Sequence, residues 1–187
     1  MRVKTLHRHT VHTRPVPSPT PFPLRRAAAL LAIALLAGCG KTPEPPSAAE
    51  TEFNAMVAAC TRTVAARPAV VRPDSQGGWS KTGYSAALVQ GEVQRTESPA
   101  TPYVGKIVVK DNEARATAPT EAEAGAIILT PAHLLANRTH TFIYSFDGTR
   151  WRWQNGMRLT KVPSQTDATQ PLALADVPAG FAGCLPR

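Results

Sequence analysis

From residue 47 onward, hydrophobic and polar positions alternate in patterns that define the elements. Phe53, Met56, Val57, Cys60 and Val64 recur at i, i+3, i+4, i+7 and i+11, the stripe of one helical face. Ser47-Ala48-Ala49-Glu50 precedes that stripe as a capping box, with Ser at the N-cap and Glu at N3. The pattern predicts a helix over 48–66, stopped before Pro68. Residues 67–80 are rich in Pro, Gly, Asp and Ser and read as a loop. A strand is expected over 81–96, with Gly83 and Gly91 as bends or bulges. Residues 98–102 form a turn. Tyr103, Gly105, Ile107 and Val109 then share one face of a strand over 103–110 that can continue to Ala118. A second Thr-x-x-Glu cap at Thr120 introduces a short helix through Ala124 to Leu129, ended by Pro131. Asp147-Gly148 lies between alternating apolar residues and predicts a two-residue hairpin turn. That turn would set Phe146 against Thr149, Tyr144 against Trp151 and Phe142 against Trp153. Asn155-Gly156 offers a second, weaker turn into 157–162, and residues 163–179 carry no clear period.

One helix followed by four or more antiparallel strands predicts an α+β fold, with the N-terminal helix packed on the sheet. In layout alone this is similar to cystatin-like or NTF2-like rolls, and such a likeness implies no function.

Charge changes the picture before residue 39. The chain has 187 residues and a formal charge of +8, which at first suggests a nucleic-acid partner. Six Lys/Arg and no Asp or Glu fall within 1–38, however, and the remainder carries a net charge of only +2. A nucleic-acid partner is therefore not expected. Arg25-Arg26 precede an unbroken apolar run of eleven residues, 27–37, too short for a membrane span. A basic start, a short apolar middle and small residues at the end are the parts of a secretory signal.

Leu36-Ala37-Gly38-Cys39 closes that segment and resembles the lipobox of bacterial lipoproteins. The resemblance covers residues 25–40. It implies cleavage before Cys39, a diacylglycerol on the Cys39 thiol and an acyl chain (palmitate in kind) on its new amine. No other cofactor is expected. It also implies a membrane partner through the lipid, and two or more chains make such anchoring stable. Gly40 after the cysteine leans towards the outer membrane, with the domain facing the periplasm. Residues 1–38 are then the signal peptide (1–24, long and Pro-rich, being as well explained by a misassigned start). Residues 39–46 are a Pro-rich tether, and 47–187 a single domain.

In an exported domain the remaining Cys60 and Cys184 read as a disulfide pinning the C-terminal tail to the first helix. The alternative is two separate buried thiols. No catalytic signature is present. His133 and His140 match no helical or structural zinc spacing, and Gly83-Tyr84-Ser85 is half of a nucleophile elbow lacking its second Gly. Trp79, Trp151 and Trp153 are a candidate stacking platform or, alternatively, core. Arg150 and Arg152 are a candidate anionic contact or, alternatively, a solvated strand face. The expectation is a non-catalytic binding or accessory module with an envelope protein partner. The alternatives are an inhibitor or immunity protein against an envelope-acting enzyme, and an enzyme whose site is assembled from distant residues, around His133 and His140.

Overall fold

The computed structural model describes residues 47–187, so the signal segment, Cys39 and the tether lie outside the described residues. Within them the fold is α+β, a helix followed by a seven-stranded antiparallel sheet. Helix α1 (Ala48–Ala65) starts where the capping box places it. The Ser47 hydroxyl accepts from Glu50 N at 3.2 Å, and the Glu50 carboxylate accepts from Ser47 N at 2.6 Å. No helix among the described residues is long and apolar enough to cross a membrane.

The strands are β1 (Val70–Pro73), β2 (Trp79–Tyr84), β3 (Leu88–Arg95), β4 (Tyr103–Ala118), β5 (Leu134–Phe146), β6 (Trp151–Lys161) and β7 (Ala168–Leu172). Sixteen-residue β4 is the spine. One edge pairs with β5, while the other is shared end to end by β3, opposite 103–110, and β2, opposite 113–118. β1 continues outward from β2, and β6 and β7 from β5. A short helix, α2 (Glu121–Ala126), packs on β1, β2 and β4.

Gly105, Ile107 and Val109 of β4 face α1, as the alternation predicts. Phe53, Phe142, Tyr144, Trp151 and Phe181 are buried with them as an aromatic core. Gly105 lets the helix sit close: a Cβ there would lie 2.3 Å from the Phe53 ring. The segment Ala179–Cys184 closes the core, its Cys184 bonded to Cys60 with an S–S distance of 2.10 Å. The Tyr144 hydroxyl donates to the Cys184 carbonyl at 2.5 Å.

Several expectations need correction. The supposed loop 67–80 contains β1 and the start of β2, and the single strand over 81–96 is two strands separated at 85–87. Gly83 and Gly91 lie in unbroken register and are neither bends nor bulges. Asp147-Gly148 belongs to a four-residue connection. The Asp147 carboxylate accepts from both Thr149 N and Arg150 N at 2.9 Å, which lengthens the loop. Phe146 therefore faces Trp151 and Tyr144 faces Trp153. The register moves by two, so the aromatic residues keep their common face. Asn155-Gly156 makes no turn; it lies inside β6, just after the irregularity that leaves Gln154 unpaired. Polar 168–172 is β7, an edge strand organised by its pairing to β6.

Candidate functional site

A cleft of about 600 Å³ opens at the end of the sheet beyond α1. Its floor is Lys81, Gly83 and Ala114, on the sheet face opposite α1 because they alternate with inward-facing neighbours. Its wall is the segment after α2, Ile127 to Pro131, together with Leu134. Local sequence chemistry builds that wall. The Thr120 hydroxyl accepts from Glu123 N, and the Glu123 carboxylate accepts from Thr120 N, fixing the start of α2. The Lys81 ammonium donates to the carbonyls of Gly125 and Ile127, each at 2.7 Å, fixing its end. Gly83 allows the wall to close on the floor, since a Cβ there would lie 2.6 Å from Leu129 Cδ1. The cleft is apolar along its wall, where Ile128 stands 83% exposed, and polar at Tyr84, Ser85, Asn112 and Thr130.

A buried ion cluster borders this cleft. Asp111 continues the inward series of Gly105, Ile107 and Val109, and its side chain is wholly buried. It accepts from Arg67 at 2.5 Å and from Arg138 at 3.0 and 2.9 Å. Arg138 also donates to Glu113 at 2.5 Å. The Tyr84 ring lies 4.4 Å from the Arg67 guanidinium and 4.6 Å from that of Arg138. Burial alone would raise the Asp111 carboxyl, but the hydrogen bonds and charge of Arg138, then of Arg67, hold it below its ordinary value. Two cations face two carboxylates, so the cluster is self-neutralising, and Arg67 brings it to the cleft rim.

His140 follows Arg138 on the same face of β5, 1% exposed, its ring 4.4 Å from that of Phe181. Neither ring nitrogen has a hydrogen-bond partner among the described residues. Burial, and next the charge of Arg138, push its pKa down to about 4, against a smaller opposing pull from Asp111. His133 is elsewhere. It caps the turn before β5, its Nδ1 accepting from Thr130 N at 3.0 Å. Seven residues of mostly extended chain, roughly 20 Å, separate the two histidines, so the structure does not assemble a site around the pair. Among the described residues no three His, Cys, Asp or Glu side chains converge as metal ligands.

The other candidates are also dispersed. Trp151 is 3% exposed and packs on Phe53 with ring centroids 4.8 Å apart. Trp153 is half-buried against Phe142 and Tyr144. Both belong to the core and its margin. Arg152 is exposed and paired with Asp147, and Arg150 lies in the connecting loop. Cys60 and Cys184 are joined, whereas Cys39 lies outside the described residues.

Sequence reasoning passed over Arg67, Lys81, Tyr84, Asp111 and Arg138. One signal was available: Asp111 and Arg138 occupy inward positions of apolar alternations, where a charge requires a partner. Lys81 carries no such mark, because its role depends on carbonyls 44 and 46 residues away. No protein-family model matches this chain, and no curated protein or solved structure matches it either.

Proposed function

We propose that this chain is a lipid-anchored binding module of the bacterial cell envelope, non-catalytic, facing the periplasm and using the cleft between β2, β4 and the 127–134 segment. The cleft carries the reading. Pockets of about 300–1,000 Å³ that pair an apolar wall with a few placed polar groups are the usual form of a ligand site, and this one has about 600 Å³. The anchor is the acylated Cys39 implied by Leu36-Ala37-Gly38-Cys39. Seven residues separate Cys39 from Ser47, and the eight chain steps between them reach at most about 28 Å. The 18 residues of α1 span a further distance of about 27 Å. Arg67, at the cleft rim, follows the end of α1 opposite to Ser47, where the tether enters. The cleft rim therefore lies at the far end of α1 from Ser47, which suits an accessory subunit that presents a site to a partner in the envelope.

Two measurements test this reading. Cys39→Ser should move the protein out of the membrane fraction, and the intact mass of the membrane form should begin at residue 39 with added lipid. A photoreactive residue at Ile128 should give a discrete adduct in intact cells, while the same residue at Thr141, on β5, should not. An unlipidated membrane form, or equal labelling at both positions, would overturn it.

A further inference from the structure

The charges lining the cleft specify its ligand more narrowly. Arg67 and Lys81 are the charged residues among the lining side chains, and no Asp or Glu lines it. Arg67 is neutralised by Asp111. Lys81 is not: its ammonium donates to two carbonyls and faces no carboxylate among the described ion pairs. An ammonium has three donors, so a third is left beyond the two carbonyls on a residue that lines the cleft floor. Next to this cation runs an apolar wall that includes Ile127, Leu129, Pro131 and Leu134, with Ile128 exposed at its lip.

From this juxtaposition we infer that the cleft binds a single-chain anionic amphiphile, its anionic head at Lys81 and its hydrocarbon chain along the 127–134 wall. This rests on the cleft being the binding site proposed above. Neutral amphiphiles would bury the same chain but leave the ammonium unpaired. Cationic ones would meet a like charge. A polyanion lacks the apolar part that the wall needs. Carboxylate and phosphate heads share the required chemistry, so fatty acids and lysophospholipids with a phosphate monoester head are the two sources to separate.

The test uses the mature membrane form in phosphatidylcholine nanodiscs and a diazirine-bearing decanoate as probe, with its methyl ester as the neutral counterpart. Adducts are expected on the peptide carrying 127–134, at least tenfold more with the acid than with the ester, and competed by decanoate. Lysophosphatidic acid competing better than decanoate would assign a phosphate head, and the reverse order a carboxylate. Lys81→Met should reduce labelling about tenfold, and Lys81→Arg should retain it. Because Lys81 also holds the end of α2, Ala114→Leu provides a second arm, filling the floor without removing the charge and abolishing labelling. Equal labelling by acid and ester, adducts spread over other peptides, or undiminished labelling in both Lys81→Met and Ala114→Leu would overturn the inference. So would competition by an apolar peptide acid alone. If the Ile128 adduct in cells survives while the lipid probe fails, only the ligand class falls and the binding reading stands.

Discussion

The indole N–H of Trp151 donates to the Ala49 carbonyl at 3.0 Å, joining the start of β6 to the first turn of α1 across 102 residues. The ring is buried against Phe53 and Phe146, so this contact fixes how the helix lies on the sheet. Trp151→Ala should cost about 3–5 kcal/mol through the lost packing and the cavity left behind. Trp151→Phe should cost clearly less, because most of the apolar contact survives. Urea unfolding of the two variants against the parent measures the difference.

The Asp111 cluster should respond unlike the surface pairs. Removing the carboxylate leaves Arg67 and Arg138, with side chains 6% and 10% exposed, as buried cations. Asp111→Ala is expected to lose about 3–5 kcal/mol. Lys161 pairs with Asp167 at 2.7 Å with both side chains about half exposed, and Lys161→Ala should lose less than about 1 kcal/mol. Equal losses in the two variants would refute the distinction.

His140 makes stability depend on pH in a defined direction. Its pKa falls from 6.5 to about 4 on folding, so the folded state requires the neutral ring. The associated stability is fully present above pH 6.5. It is lost as pH drops through the window from 6.5 to 4, up to a total of about 3 kcal/mol. His140→Leu removes the titrating group and two unpartnered ring nitrogens. Chemical denaturation at pH 7.5, 5.5 and 4 should show a flatter profile for this variant, with little loss at the highest pH.

The disulfide closes a loop with a sequence separation of 124. Chain entropy limits its contribution to about 4–5 kcal/mol. Cys184→Ser should lower the melting temperature by several degrees under oxidising conditions. The difference should nearly vanish once the parent is reduced, and non-reducing peptide mapping should recover residues 60 and 184 in one species.

What could be read in advance divides along the range of the forces involved. α1 was legible to within one residue because its cap, its stripe and Pro68 all lie within a few positions of one another. The cap of α2 was legible for the same reason. β4 was legible from its alternation alone. β1 and β7 were not, since Pro73 and Pro171 argue against strands and only the neighbouring strand recruits them at the sheet edge. The hairpin register failed on one side chain, Asp147, whose two accepted hydrogen bonds lengthen the turn. The cleft was invisible because residues far apart in sequence, such as Lys81 and Ile127, meet only after the sheet has formed.

The Cys60–Cys184 bond also governs how the molecule can be taken apart by force. All seven strands lie between the two cysteines, so the sheet is part of a closed covalent ring. A pull on the amino side reaches that ring thirteen residues after Ser47, and a pull on the carboxyl side reaches it three residues before Arg187. Tension applied at the two ends therefore runs from the first part of α1 straight through the sulfur bridge into the tail. The strands carry none of it. Stretching should release the short segments outside the ring and then stall, leaving the sheet and the cleft at its far end mechanically shielded until the bridge is reduced.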